Sequence, residues 1–187
     1  MIIVCSLADQ KNICQSVYPS HLISVVDPGY QPETPNNIQN HLKLGFDDIV
    51  EIKEENTIYR IPGISSKQIL PNQNHINDIV DFVSTWDQSN HIVIHCWCGV
   101  SRSMATAIFI LCKINPGNVD KNVRYVRSIA PHANPNKLMV SIFESYLKIK
   151  CKINEAFNKY PHTITYDCAT TFAPVTIFKI KELKDFR

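Results

Sequence analysis

The sequence has little excess charge of either sign and no long apolar run. Nineteen Lys and Arg residues against 17 Asp and Glu residues give a formal net charge of +2, which is too small a basic field to hold nucleic acid or an anionic lipid surface. No segment approaches the roughly 18 to 20 consecutive apolar residues that cross a bilayer. We therefore predict no nucleic-acid partner and no membrane association.

The chain also lacks the cysteine pattern of a small secreted protein. Its seven cysteines are an odd number and are scattered through apolar segments rather than paired in a framework. The apolar residues 1–7 are too short for a secretory core, lack a basic lead and run directly into Asp9. The scattered, odd-numbered cysteines favour reduced thiols, and we expect a cytoplasmic protein.

The apolar content is sufficient for one compact domain. The 187 residues are 44% hydrophobic, and a chain of this size buries roughly 70% of its accessible surface on folding. Runs of β-branched and apolar residues predict strands, and apolar residues at helical spacing predict helices. The predicted strands are 2–7, 21–26, 41–46 and 91–94, and the predicted helices are 8–18, 74–87, 104–112 and 119–129.

The remaining segments are less regular. Asn134-Pro135 predicts the start of another helix, because Asn caps helices and Pro suits their first position; this helix can continue towards Pro161. Residues 51–68 are interpreted as a surface insertion, and residues 175–180 as a possible strand. The prediction is an α/β fold with a mixed, partly parallel central sheet flanked by helices, in a single domain over 1–160, with a C-terminal tail over 161–187 of unknown role.

A nine-residue segment between the predicted strand 91–94 and the buried helix contains the residues that suggest a chemistry. It reads His-Cys-Trp-Cys-Gly-Val-Ser-Arg-Ser over residues 95–103. A short loop that enters a helix turns unpaired backbone N–H groups and the positive end of the helix dipole towards one point, which favours an anion. Gly99 permits a strained turn, and the planar guanidinium of Arg102 can hold two phosphate oxygens. This pattern predicts a phosphate-binding loop.

Cys96 lies at the mouth of this predicted anion site. The loop amides, the helix terminus and the charge of Arg102 all favour its thiolate form, so a nucleophile is available without a metal. The hydroxyl of Ser103 is placed to donate a hydrogen bond to the sulfur when it becomes a leaving group. We predict no cofactor and no metal site: His95, Cys96 and Cys98 are potential ligands, but no second Cys/His pair completes a zinc-like spacing.

The pattern His-Cys, five residues and Arg-Ser, here His95-Cys96 and Arg102-Ser103, is similar to the signature of the cysteine-dependent protein-tyrosine phosphatase superfamily. The chain most resembles the compact dual-specificity branch and the small bacterial tyrosine-phosphatase-like proteins. The resemblance implies a phosphatase-like domain in which Cys96 attacks phosphorus and forms a phosphocysteine, which water hydrolyses. The implied substrate-binding residues are Trp97, Cys98, Gly99, Val100, Ser101 and Arg102.

The reaction also needs a carboxylic acid to protonate the leaving group. Asp48 is the first choice, because it follows the strand 41–46 just as the family's general acid follows its strand. Asp47 is one position away in a register that the sequence does not settle, and Asp27 is a third, weaker choice. Asp78 and Asp81 lie on a predicted helix and are interpreted as solvated surface.

Three loop residues have two interpretations each. His95 either fills the core or, as we favour, hydrogen-bonds the loop and helps to set the thiolate. Cys98 is a small buried apolar residue or a thiol that traps an oxidised Cys96, although that bridge would be strained. Trp97 either stacks on a phosphoaryl ring or packs at the rim. The other cysteines are interpreted as structural or incidental: Cys5, Cys14, Cys112, Cys151 and Cys168.

The main hypothesis is therefore a metal-independent phosphomonoester hydrolase acting on phosphotyrosine or with dual specificity. The expected partner is a phosphorylated protein or a small phosphate ester. One alternative is a pseudophosphatase that binds phosphate as an adaptor and turns over little. Another is the same chemistry on a non-protein ester such as an inositol phosphate or an RNA end, although no lysine stands in the loop. Tyrosine against serine/threonine preference and the oligomeric state stay open.

Overall fold

The computed structural model describes residues 1–52, 67–149 and 152–186. Five strands and seven helices form one α/β domain within these residues. None of the helices in the described ranges is long and apolar enough to cross a membrane. The elements are β1 Ile2–Cys5, α1 Leu7–Val17, β2 His21–Val26, β3 Asn40–Gly45, α2 Gln73–Ser84, β4 Ile92–His95, α3 Arg102–Ile114, α4 Val119–Ile129, α5 Lys137–Leu147, α6 Lys152–Lys159, β5 Thr176–Phe178 and α7 Ile180–Asp185.

The central sheet has the strand order β3-β2-β4-β1-β5. The first four strands are parallel, and β5 runs antiparallel to β1. This arrangement confirms the predicted mixed, partly parallel sheet flanked by helices. Strands β1, β2 and β4 are buried along their whole length, which explains why they are nearly continuous apolar runs rather than alternating ones.

Helices cover both faces of the sheet. Alternate side chains of a strand point to opposite faces, so Ile3 packs with Cys14 of α1 on one side. On the other side, Ile2 joins the larger core formed with α2 to α7. In this core the ring of Phe109 in α3 stacks on that of Phe143 in α5, with a centroid distance of 4.3 Å. The buried helix predicted over 104–112 is therefore present within α3.

Helix α5 begins later than predicted. Its N-cap is Asn136, whose side-chain oxygen accepts a hydrogen bond from the Met139 N–H at 3.0 Å. The prediction that Asn134 caps this helix is wrong, because the Asn134 N–H donates instead to the Val100 carbonyl and its residue belongs to the preceding loop. Asn134 and Asn136 flank Pro135, and only tertiary contacts decide which of them caps the helix. Helix α6 is separate from α5 rather than a continuation of it.

The segment after residue 160 contributes to the same sheet and core. Strand β5 lies within the predicted strand 175–180 and pairs with β1. Phe178 and Leu183 are completely buried in the larger core. The sequence provided no role for this tail, and the structure gives it an edge strand. Of the insertion predicted over 51–68, residues 53–66 lie outside the described residues.

Candidate active site

The loop 96–101 joins β4 to the N-terminus of α3 at the carboxyl edge of the parallel strands. This edge is where ligands bind in open α/β sheets. Cys96 directly follows β4 and is buried. The helix that receives the loop begins at Arg102, and its N-cap Ser101 gives it no side-chain cap. Because the Ser101 side chain does not cap the helix, the first N–H groups of α3 can bind an anion.

Backbone contacts from three distant segments orient the loop. Three of its carbonyls accept hydrogen bonds from N–H groups outside it: Trp97 from Leu7 (3.1 Å), Cys98 from Ala173 (3.2 Å) and Val100 from Asn134 (3.0 Å). The C=O and N–H of one trans peptide point in opposite directions, so an outward carbonyl turns the next N–H inward. The Gly99 N–H accordingly donates to Cys96 Sγ at 3.3 Å.

Gly99 is required at its position for two reasons. Its φ is +80°, in the region that L side chains rarely adopt. A Cβ atom there would also lie 3.2 Å from the backbone carbonyl carbon of Cys5. The turn that brings the loop amides inward therefore depends on the absence of a side chain at residue 99.

The sulfur of Cys96 has two hydrogen-bond partners within the loop and helix. Ser103 Oγ lies 3.1 Å from Cys96 Sγ, and the second partner is the Gly99 N–H. Ser103 is completely buried. Both groups can donate a hydrogen bond to the sulfur. The structure thus brings together the predicted nucleophile and the predicted serine.

The guanidinium of Arg102 is buried, with only 2% of the side chain exposed. Its Nη1 donates to Asp27 Oδ1 at 2.6 Å and to the Phe46 carbonyl at 2.5 Å. Its Nε lies 3.8 Å from Asp48 Oδ2 and has no hydrogen-bond partner among the described residues. Asp27 therefore anchors one nitrogen of the planar group and leaves Nε available for a phosphate oxygen.

Asp48 lies over the loop, where Ser101 and Asn136 hold its carboxylate. The Ser101 hydroxyl and the Asn136 side-chain amide donate to the same oxygen, Oδ1, at 2.7 and 2.9 Å. The same amide donates to the Ile49 carbonyl at 3.2 Å. Sequence reasoning assigned Ser101 to substrate binding and did not single out Asn136, since a helix N-cap carries no signal of a contact 88 residues away.

The neighbouring Asp47 contacts the backbone of Ile69 instead of the loop. Its Oδ2 accepts a hydrogen bond from the Ile69 N–H at 2.6 Å, and its own N–H donates to the Ile69 carbonyl at 2.8 Å. The residue is buried. Asp47 is thus tied to residue 69, whereas Asp48 reaches the loop and Asp27 reaches Arg102.

His95 belongs to a chain of hydrogen bonds behind the loop. Its Nδ1 lies 3.3 Å from the Cys96 carbonyl, and its Nε2 lies 2.6 Å from Ser24 Oγ. Ser24 Oγ is also 2.7 Å from His41 Nε2, and His41 Nδ1 is 2.9 Å from Thr34 Oγ1. The Cys96 carbonyl only accepts, so a neutral His95 donates to it from Nδ1 and accepts from Ser24 at Nε2. His41 then donates to Ser24 and accepts from Thr34.

His95 and His41, the two histidines of this series of hydrogen bonds, are neutral at pH 7. Burial lowers the pKa of His95 and that of His41 to about 4. His95 contacts the backbone of the loop at Cys96, and its ring makes no hydrogen bond to the sulfur in the part of the chain that the structure describes. Its geometry matches the interpretation in which it hydrogen-bonds the loop.

Trp97 packs against a neighbouring aromatic ring and also lines a cavity. Its ring meets the ring of Tyr30 edge-on, with a centroid distance of 5.3 Å. It also lines the cavity of about 340 Å³ in front of Cys96. The residues around this cavity are Asp27, Asp47, Asp48, Ile49, Cys96, Trp97, Cys98, Val100, Ser101, Arg102 and Cys168.

Two cysteines form a disulfide beside this cavity. Cys98 of the loop is bonded to Cys168 of the tail, 70 residues away. The expectation of reduced thiols is wrong for this pair. Cys98 is neither a simple buried apolar residue nor bonded to Cys96, which is a free thiol. Cys168, interpreted as structural or incidental, has the structural role. A sequence with seven cysteines does not reveal which ones meet in space.

Cys5 and Cys112 are free, buried thiols. Burial raises the pKa of the Cys5 thiol and raises that of Cys112 to about 12.

Within residues 1–52, 67–149 and 152–186, no group of three or more His, Cys, Asp and Glu side chains is placed to hold a metal ion. The groups that the structure brings together at the loop are a thiol, a guanidinium, a carboxylate and inward-facing amides. Such a set stabilises a tetrahedral oxyanion and delivers a nucleophile and a proton to it.

The chain is similar to known phosphatases. Residues 31–148 match the family of dual specificity phosphatase catalytic domains. The chain is 32% identical over 89 residues to dual specificity protein phosphatase MPK-4 of Drosophila melanogaster, covering 46% of this chain and 22% of that protein. It is 24% identical over 130 residues to dual specificity protein phosphatase 1 of Arabidopsis thaliana, covering 69% and 56%. The aligned part thus spans about a fifth of the first relative and about half of the second.

A solved structure shows the same fold. The crystal structure of DUSP15 gives a TM-score of 0.58 with 14% sequence identity, and the match covers 87% of this chain and 94% of that one. At this level of identity the likeness extends to the fold alone.

Proposed function

Because the chain belongs to the dual specificity phosphatase catalytic-domain family, we propose that it is a metal-independent phosphomonoester hydrolase that uses a phosphocysteine intermediate. The proposed substrates are phosphotyrosine or phosphoserine/threonine in proteins. The observation that carries the proposal is the convergence of Cys96, Arg102 and Asp48 on one cavity of about 340 Å³.

In the first step, the Cys96 thiolate attacks phosphorus and the phosphorus–oxygen ester bond breaks. The inward amides of the loop and the Arg102 guanidinium stabilise the charge on the transferred phosphoryl oxygens. The protonated Asp48 carboxyl gives its proton to the leaving oxygen. The Ser101 and Asn136 contacts to Asp48 support this role, because they place the carboxyl over the loop.

In the second step, water attacks the phosphocysteine, and the sulfur–phosphorus bond breaks. The Asp48 carboxylate takes a proton from the water, which restores the acid for the next cycle. Ser103 donates to the departing sulfur, 3.1 Å away. Asp27 takes no proton in this scheme and acts as a positioning residue that anchors Arg102.

Hydrolysis of an aryl phosphate in the presence of a metal chelator tests the proposal. Cys96→Ser abolishes turnover, and Arg102→Lys lowers kcat by about 100- to 1,000-fold because Lys offers no planar fork. Asp48→Asn lowers kcat by about 100- to 10,000-fold. It also removes the part of the pH dependence of kcat that comes from deprotonation of the acid. The matched control Asp81→Asn, an exposed carboxylate on α2, keeps the wild-type activity.

Asp27→Asn separates positioning from acid catalysis. We expect it to raise KM more than it lowers kcat, since Arg102 loses its anchor while Asp48 is intact. A kcat loss as large as that of Asp48→Asn, with KM unchanged, would assign the acid role to Asp27 instead. A wild-type protein that binds phosphate yet hydrolyses no aryl ester under reducing conditions is the pseudophosphatase of the alternative hypothesis. Activity on a soluble inositol phosphate but on no phosphopeptide would identify a non-protein substrate.

A further inference from the structure

A C-terminal segment reaches the phosphate-binding loop from outside the family match, which ends at residue 148. We name residues 163–173 the C-terminal strap. The strap begins where the Thr163 N–H donates to the Pro131 carbonyl at 3.0 Å. It ends where the Ala173 N–H donates to the Cys98 carbonyl. Between these points the Cys98–Cys168 disulfide joins it to the loop.

The strap holds Cys98 by two independent bonds. The disulfide holds its side chain, and Ala173 holds its carbonyl at 3.2 Å. The carbonyl of Cys98 and the N–H of Gly99 belong to one peptide plane, so fixing the first directs the second towards Cys96 Sγ. Gly99 sits at a positive φ and has no side chain to fix this plane by itself. The orientation of a donor at the anion site thus depends on contacts from the strap.

Besides the disulfide, the middle of the strap is held by one ring contact, in which Tyr166 meets the buried His132 edge-on with a centroid distance of 5.5 Å. Its hydrogen bonds around Cys168 are local turns, in which the N–H groups of Thr170 and Thr171 donate to the Asp167 carbonyl. Its large apolar side chains remain accessible: Ile164 is 41% exposed and Phe172 is 39% exposed. A segment with few buried contacts opens locally at low free-energy cost unless it is cross-linked. The disulfide is such a cross-link, and Cys168 itself lines the catalytic cavity.

We propose that Cys168 is a positioning residue for the phosphate-binding loop, which acts through its disulfide with Cys98 and makes anion affinity dependent on the redox state of that bond. The proposal rests on the proposed function, since the loop is taken as the phosphate site. A dithiol reductant breaks the Cys98–Cys168 bond by supplying two electrons and two protons, which leave two thiols on the protein and an internal disulfide in the reductant. The free strap then loses its covalent hold on the loop.

Calorimetric titration with inorganic phosphate tests the proposal without depending on turnover. The full chain is prepared under nitrogen with its disulfide intact, and a second sample is treated with dithiothreitol. Alkylation followed by mass spectrometry verifies that Cys96 is a free thiol in both samples and that Cys98 and Cys168 are free only in the second. We expect the Kd for phosphate to rise about three- to tenfold on reduction, the effect of weakening one oriented hydrogen-bond donor.

Cys168→Ser gives the same rise without reductant and shows no further change when reductant is added. Cys112→Ala is the matched control, because this buried thiol lies in α3 without a disulfide, and it responds to reductant as the wild type does. With an aryl phosphate, reduction raises KM by a similar factor while kcat changes by less than about twofold. A merely structural role of the bond would lower thermal stability without this division between KM and kcat.

Equal phosphate affinity in oxidised wild type, reduced wild type and Cys168→Ser overturns the proposal, as does a failure of every form to bind phosphate. If Cys168→Ser does not fold, the reduced wild type decides the question alone. Loss of phosphate affinity on reduction in a protein that hydrolyses no ester supports the positioning role and refutes the proposed enzymatic function. The two inferences can therefore fail separately.

Discussion

Ser24→Ala removes the hydroxyl that links the two histidines behind the loop. Ser24 is completely buried in β2, and its Oγ makes hydrogen bonds of 2.6 Å to His95 and 2.7 Å to His41. The substitution leaves the Nε2 atoms of both rings without this partner. The His95 ring is fully buried and cannot turn to water, whereas His41 is only partly buried.

The expected cost follows from these exposures. A buried polar atom that loses its partner costs about 1 to 3 kcal/mol, and the partly exposed His41 recovers some of its loss from water. We therefore expect Ser24→Ala to lower the free energy of unfolding by about 2 to 4 kcal/mol at pH 7. The Nδ1 contact of His95 to the Cys96 carbonyl also weakens, because the donating tautomer is no longer enforced. Phosphate affinity therefore falls together with stability.

Urea unfolding followed by circular dichroism measures this effect. Ser141→Ala is the matched control, since it removes an exposed hydroxyl that donates to a backbone carbonyl at 2.9 Å, and it changes stability by less than about 0.5 kcal/mol. If Ser24→Ala and Ser141→Ala prove equally stable and bind phosphate equally well, the hydrogen-bond chain has no energetic role and the reasoning is refuted.

Two further predictions concern His95 and Gly99. Burial lowers the pKa of His95 from 6.5 to about 4, so its contribution to stability is complete above pH 6.5 and is lost as the pH falls towards 4, by about 3 kcal/mol in total. Urea unfolding at several pH values should show a shallower acid loss in His95→Asn, and identical slopes would contradict the assignment. Gly99→Ala should destabilise the protein more than Gly117→Ala, because both residues have positive φ but only the first Cβ meets backbone, at 3.2 Å. Thermal unfolding compares them, and an equal loss in both would show that the Cys5 contact is unimportant.

The sequence alone determined the parts of the site that are contiguous. The proposed nucleophile, the glycine turn, the arginine and the serine lie within residues 95–103, so a strand followed by a buried helix is sufficient to position them. Asp48 was proposed by the same local logic, because it lies three residues after the end of β3. The sheet could be predicted for a related reason: strands buried on both faces are continuous apolar runs.

Tertiary structure decided everything that depends on long-range contacts. The proposed choice of Asp48 over Asp47 as the acid rests on which carboxylate contacts Asn136 and which contacts Ile69. The pairing of Asp27 with Arg102 joins residues 75 positions apart. The disulfide and the strap join the tail to the loop across a separation of 70 residues. Periodicity and composition report only which face of an element is buried, whereas these contacts arise from how the separate elements pack against one another.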